Sequence, residues 1–291
     1  MLELGVILVL IGSAAHAGWN ALISRVPNGG RTFVWIYSAL TLLWVLPVAA
    51  IVLLLEDTQV EGMWVLACLV SALAHLGYAL VLQWAYSKTD MSLTYPIARG
   101  VAPLLVTLIA IVFLGQVLTP IATLGIGVII AGVFVVSSGL KQVAREFGSS
   151  ALPIGAAVGG LIAAYTLWDS YSITTLDIPV LPYYAGTTSL QFLVLTAISL
   201  GKFGEAKRMF NLYWKTAIAV AVLVPVSYLL VLLAMRLAPV SIVAALRGTS
   251  IVMGVFMAWY LLKEPVGRRR LIGSGIVTAG VIAIALSSSQ N

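Results

Sequence analysis

Two arginines lie deep in otherwise apolar stretches, Arg99 in LTYPIARGVAPLLV and Arg247 in VSIVAALRGTSIVMG. An arginine in a membrane-spanning helix costs at least about 2.5 to 3.5 kcal/mol on insertion scales, so each must face protein, water or a solute. A guanidinium matches carboxylate, phosphate or phosphonate in bidentate fashion. Either residue is therefore suited to holding an anionic group, or to a structural role against an acid or helix-end carbonyls. Asp169 is an acid at comparable depth to Arg247, and the position equivalent to it near Arg99 is Asn20. The expectation is that Asp169 neutralises Arg247, leaves Arg99 for substrate, and is itself the candidate ion-coupling group.

His16 and Asn20 are spaced i, i+4 and share a helix face, as do Tyr165 and Asp169. His16 is suited to binding solute or shuttling protons near neutral pH, and equally to an interhelical hydrogen bond. His75, with Tyr78 nearby, carries the same two readings. Aromatic residues beside these polar positions, Trp19, Trp168 and Tyr95, are cavity-wall candidates. Trp35, Tyr37, Trp84, Tyr183 and Tyr184 read instead as interfacial anchors. Pro96, Gly100 and Pro103 punctuate the stretch around Arg99, where proline kinks a helix and frees carbonyls.

The elements that must position these residues are membrane helices. Of 291 residues, 61% are hydrophobic and 9% charged, with a mean hydropathy of +1.08. At about 20 residues per span, the chain accommodates roughly ten, near 3-24, 33-55, 63-86, 93-114, 120-140, 151-176, 181-200, 213-235, 240-262 and 271-287. Connectors are short. Sorted by alternate sides, nearly all lysines and arginines, from Arg25 and Arg31 to Arg268-Arg269-Arg270, fall on one face and Arg236 on the other. By the positive-inside rule the rich face is cytoplasmic and both termini lie outside. The single cysteine, Cys68, excludes disulfide scaffolds and Cys-based metal sites.

The chain repeats itself. A shift of about 148 residues brings Arg99-Gly100 onto Arg247-Gly248, and Gly125 and Gly132 onto Gly273 and Gly280. The expected fold is an all-α membrane protein of ten transmembrane helices, arranged as two inverted five-helix repeats over 1–145 and 146–291. An odd number of spans per copy forces the inversion. Equivalent loops accordingly carry opposite charge, Glu56-Asp57-Glu61 against the Lys202 to Lys215 segment. The glycines spaced by seven read as close helix packing, within the chain rather than at a dimer surface.

With these features the chain resembles the drug/metabolite transporter superfamily, in its ten-helix branch with two EamA-like domains. The resemblance rests on the repeat pattern, on Leu262-Lys263-Glu264-Pro265 followed by Leu271-Ile272-Gly273-Ser274-Gly275, on Leu114-Gly115-Gln116, and on His16-Ala17-Gly18-Trp19-Asn20. It implies a substrate cavity lined by the first four helices of each half, with the fifth and tenth peripheral, and it leaves the substrate open.

The functional expectation is a secondary transporter of a small organic solute bearing an anionic group, such as an amino acid or organophosphonate, working by alternating access. A proton is the candidate coupling ion. The expected partners are that solute and the lipid bilayer of a bacterial inner membrane, without nucleic acid, in a monomer or homodimer. The alternatives are efflux of cationic or aromatic compounds, with Asp169 and the aromatics forming the site, and a membrane-embedded enzyme or lipid-handling scaffold. No phosphate-binding Gly-rich loop, His-Glu-x-x-His helix or nucleophile beside a base occurs, so no catalytic residue, metal or cofactor is assigned.

Overall fold

The computed structural model describes residues 1–27, 30–55, 60–88, 91–137, 151–262 and 267–288. Its helices are α1 (Leu2–Ile23), α2 (Gly30–Leu55), α3 (Gly62–Lys88), α4 (Met91–Val112), α5 (Pro120–Ser137), α6 (Ala151–Thr174), α7 (Val180–Ser199), α8 (Phe203–Leu237), α9 (Val240–Leu246), α10 (Thr249–Leu262) and α11 (Arg268–Ser288). Among the described residues there is no strand. In lipid every backbone polar group must be satisfied within the segment, which favours helices. Seven helical stretches are long and apolar enough to cross a membrane, and two shorter apolar helices, Ile97–Val112 and Pro120–Val136, accompany them. Leu43, Leu54 and Leu80 on the outer faces are largely exposed, as lipid-facing side chains must be. The loop charges at Glu56, Asp57, Lys141, Arg145 and Lys263 lie outside the described residues, as does the segment Lys263-Glu264-Pro265.

The helices pack in matched pairs: α1 against α8 and α3 against α6, α3 against α7 and α2 against α8, α4 against α6 and α1 against α10. The remaining major contacts join α2 to α7 and α5 to α11. The α5–α11 seam is closed by the sequence-identified glycines. A Cβ on Gly132 would lie 2.7 Å from Val277 Cγ2 and 2.8 Å from Val277 N, and one on Gly280 would lie 2.8 Å from the Gly125 carbonyl oxygen. The seven-residue glycine spacing thus serves intramolecular packing. Gly132→Val is expected to destabilise the protein by about 1 to 3 kcal/mol through overpacking, read as a lower thermal unfolding midpoint in detergent. An unaltered midpoint would show that the seam carries no close contact.

Two elements depart from the expected spans. The ninth span is broken at Arg247-Gly248, where bonding tightens to Gly248 N–H on Ala245 O (2.9 Å) and Ser250 N–H on Arg247 O (3.2 Å). Hydroxyls add to the bonding there: Thr249 Oγ1 donates to Leu246 O (2.6 Å), and Ser250 Oγ joins its own N–H on Arg247 O (2.8 Å). The connector expected over 201–212 is instead helical from Phe203. It runs into α8 through non-helical backbone at Tyr213 (φ −126°, ψ 24°). Good helix formers between Glu205 and Met209, and the packing of Met209 and Phe210 beside Val26 and Phe33, explain why it folds.

A proline explains one set of interhelical ties. Pro225 inside α8 cannot donate to the Ala221 carbonyl. That oxygen instead accepts from Thr41 Oγ1 (3.0 Å) and Trp44 Nε1 (3.1 Å) of α2. The Ile178 carbonyl, which precedes the N-cap of α7, accepts from Arg236 Nη2 (2.9 Å), which also pairs with Asp177 at 2.9 Å. The α6–α7 turn is thereby fastened to the end of α8.

Candidate functional site

A cavity of about 250 Å³ lies among α1, α2, α3, α6, α7 and α8, with Arg247 at the α9–α10 break on its wall. Its lining runs along α7 from Tyr183 to Leu195, about 18 Å at 1.5 Å per residue. It is long and narrow, and slightly smaller than the roughly 300 to 1,000 Å³ of drug-sized pockets. His16, Trp19, His75 and Tyr165, all marked by the sequence, line it together with Arg247. Arg247 is the lining side chain with a permanent charge among the described residues.

Behind the wall sits Asp169, fully buried at 0% exposure. Its Oδ1 accepts from Ser71 Oγ and from the Tyr183 hydroxyl, each at 2.6 Å, and its Oδ2 accepts from the Tyr228 hydroxyl. These donors come from α3, α7 and α8, so a side chain of α6 is held by helices from both halves. His75 Nδ1 lies 2.9 Å from the Ser71 carbonyl. A carbonyl only accepts, so the proton is on Nδ1. Nε2, 3.8 Å from Asp169 Oδ2, is then the nitrogen that can take a second proton facing the carboxylate. Tyr165 stacks on His75 (centroids 4.1 Å, 29°) and the Tyr228 ring meets it edge-on at 5.7 Å.

The expected ion pair between Asp169 and Arg247 does not form. Arg247 Nη1 donates to Thr166 Oγ1 at 3.3 Å, and its guanidinium lies over the Tyr228 ring at 5.6 Å. Three hydroxyls occupy the carboxylate, and Tyr228 stands between acid and base, with its hydroxyl on one and its ring under the other. The position of Arg99 differs too. It lines two cavities of about 30 and 20 Å³, with Arg247 but outside the large one, and its Nη2 donates to His16 Nε2 at 3.3 Å. Arginine has no acceptor, so His16 accepts through Nε2 and is neutral there.

Asn20 is exposed and donates to the His16 carbonyl of its own helix (2.8 Å). Trp168 donates from Nε1 to the Ala67 carbonyl (3.0 Å), tying α6 to α3. Tyr78 packs against Tyr165 (5.6 Å) beside an apolar cluster of Ala85, Ala98 and Val158. None of these lines the large cavity. Tyr95 belongs to α4, and its side chain lies outside what the structure describes.

Sequence reasoning missed Ser71, Thr187, Gln191 and Tyr228, and assigned Tyr37, Tyr183 and Tyr184 to the interfaces, although all line the cavity. Signals were present. Ser71 and His75, like Thr187 and Gln191, stand i, i+4 within apolar runs, and Ser227-Tyr228 follows Pro225. Tyr228→Phe, which keeps the ring under Arg247 and removes the hydroxyl from Asp169, is expected to cost about 1 to 3 kcal/mol in unfolding free energy. Equal unfolding midpoints for the two proteins would show that the hydroxyl does not hold the acid.

The sequence matches the model of the EamA-like transporter family twice, over residues 3–138 and 154–286. The chain belongs to the EamA-like transporter family. It is therefore a multi-pass membrane protein of the drug/metabolite transporter type, and the two matches correspond to its two repeats. No curated protein matches the sequence. A solved crystal structure is similar in fold, with a TM-score of 0.72, 15% identity, and coverage of 99% of this chain and 98% of that one. Within the EamA-like frame, Arg99 belongs to the first matched segment and Asp169, Tyr228 and Arg247 to the second. The large cavity is walled by both.

Proposed function

We propose that the chain is a secondary transporter whose solute, a small organic molecule with an anionic group such as an amino acid or phosphonate, occupies the 250 Å³ cavity. The observation that carries this reading is Arg247, a permanent charge presented to a narrow, partly polar cavity between the two repeats. Guanidinium in such surroundings selects carboxylate or phosphonate. Arg247 thus takes the solute-binding role that the sequence favoured for Arg99.

Ten spans in two inverted five-helix repeats, with α9 and α10 as one broken span, fit the matched helix contacts and the reversed loop charges. Alternating access then proceeds by rocking one repeat against the other. The coupling ion is a proton carried by Asp169 with His75. Oδ1 already accepts two donors, so the proton goes to Oδ2, the oxygen bonded by Tyr228. The setting is a bacterial inner membrane, with both termini outside by the charge rule. The α5–α11 glycine seam is satisfied within one chain, so a monomer suffices.

A second reading has its own observation. Tyr37, Tyr165, Tyr183, Tyr184, Tyr228 and Trp19 line the cavity, a wall that also suits aromatic or cationic solutes. Thermal-shift measurements on purified protein separate the two. Stabilisation by amino acids, phosphonates or phosphate esters, absent in Arg247→Gln, is expected; stabilisation by lipophilic cations alone would favour the second reading.

A further inference from the structure

α8 is longer than a membrane span requires. Its 35 residues extend about 52 Å at 1.5 Å per residue, against a hydrocarbon core of about 30 Å. The non-helical backbone at Tyr213 divides it. The stretch 214–237, about 36 Å long, crosses the core by itself, which leaves 203–212 at the core's edge.

That stretch is held along one face. Ala206, Met209, Phe210 and Tyr213 recur at helical spacing and are half-buried, the last three against Val26 and Phe33, where α1 ends and α2 begins. Its start is tied down as well. Thr32 Oγ1 donates to Glu205 Oε1 (2.7 Å), and Phe203 meets the Trp35 ring edge-on at 5.1 Å while Trp35 Nε1 donates to Thr196 Oγ1 (2.9 Å). Helices α2, α7 and α8 are joined there.

The opposite face is cationic. Lys207, Arg208 and Lys215 are exposed, and Arg31, next to Thr32, adds a charge from α2. The acid of the stretch, Glu205, is already engaged by Thr32 and, at 3.7 Å, by Lys202. Lys207 and Arg208 form no ion pair among the described residues. Exposed Phe203, Leu212 and Trp214 border them, and Lys215 Nζ lies 5.5 Å from the centroid of the Trp214 ring. A basic face flanked by Phe, Leu and Trp is the composition of a helix lying in the headgroup layer, and tryptophan favours that depth. A soluble anion would meet the charges alone; the flanking apolar side chains call for acyl chains beneath them.

We propose that residues 203–215, with Arg31, form a docking surface for anionic phospholipid headgroups. The phosphates are taken by Arg208 in bidentate fashion and by Lys207 and Lys215 as point charges, while Phe203, Leu212 and Trp214 enter the layer below. A lipid held there braces the junction of α2, α7 and α8, which together supply much of the wall of the large cavity. Nothing in this surface depends on which solute the cavity holds.

Purified protein in a neutral detergent is titrated with phosphatidylglycerol or phosphatidylcholine at constant ionic strength, and the thermal unfolding midpoint is followed. Phosphatidylglycerol is expected to raise the midpoint saturably by about 3 °C or more, with phosphatidylcholine inert. Lys207→Gln/Arg208→Gln is expected to need about tenfold more phosphatidylglycerol for half the effect. Arg268→Gln/Arg270→Gln, which removes equal charge from another exposed site, should keep the wild-type curve. Glycerol phosphate, the free headgroup, should act identically on the wild type and on Lys207→Gln/Arg208→Gln. Equal shifts by the two lipids, or equal losses in the two double variants, overturn the surface and mean unselective lipid or charge attraction. A glycerol phosphate response that requires Lys207 and Arg208 overturns it in favour of a soluble anion. The solute reading stands or falls separately, because it is measured with organic anions at fixed lipid.

Discussion

Replacing Arg247 by glutamine is expected to weaken binding of an anionic solute by about 100-fold or more, equivalent to about 3 kcal/mol. The reason is location. Arg247 is the permanent charge on the wall of the 250 Å³ cavity, and glutamine keeps hydrogen-bonding capacity while losing the charge and the planar fork. Arg247→Lys should fall between the two, since it restores charge without bidentate geometry. Arg99→Gln is expected to cost less than about tenfold, because Arg99 faces the smaller cavities and His16. Isothermal titration or thermal-shift titration of the three variants with one stabilising anion gives the ranking. Equal losses at Arg99 and Arg247 would sink the assignment of separate roles.

The second large effect is at Asp169. Asparagine there keeps one acceptor oxygen for Ser71 and Tyr183, but turns an N–H₂ toward Tyr228, whose hydroxyl then loses its acceptor. A buried donor left without an acceptor costs about 1 to 3 kcal/mol, and Asp169→Leu, which leaves all three hydroxyls unmatched, should cost more. Transport should change in kind as well. If the proton rides on Oδ2, Asp169→Asn protein should equilibrate solute across a vesicle membrane yet fail to accumulate it in response to an imposed pH gradient. Gradient-driven accumulation at the wild-type level in this variant would remove Asp169 from the coupling step.

Much of the architecture was written in composition and repetition. Apolar runs of spanning length fix the class, and the Arg-Gly and Gly-x₆-Gly matches at a common shift fix the repeats and the α5–α11 seam. The polar pair on one helix face drew attention to His16, which lines the large cavity, because an i, i+4 relation is local. Asn20 is not among the residues lining that cavity, and the same local relation accounts for it, since its amide bonds back to the His16 carbonyl. The site's electrostatics were less legible. Depth along the chain put Asp169 beside Arg247, but depth does not say which helix stands between them. Tyr228 does, and it arrives from α8, 59 positions from Asp169. The tyrosines were read as interfacial because aromatic residues near span ends usually are. Tyr183 and Tyr184, close to the start of α7, instead turn inward to an acid and a cavity. The break at Arg247-Gly248 has no counterpart at Arg99-Gly100, although the dipeptides match. In the ninth span the hydroxyls of the following Thr249 and Ser250 donate to the carbonyls at the break, where the fourth has Val101 and Ala102.

Solute flux into proteoliposomes tests the central claim most directly, using a panel of amino acids, phosphonates and phosphate esters beside lipophilic cations. Wild-type protein and Arg99→Gln should move at least one anionic member while Arg247→Gln moves none. Equal anion flux through wild type and Arg247→Gln, or flux of the cations alone, would contradict a cavity that holds its solute by Arg247.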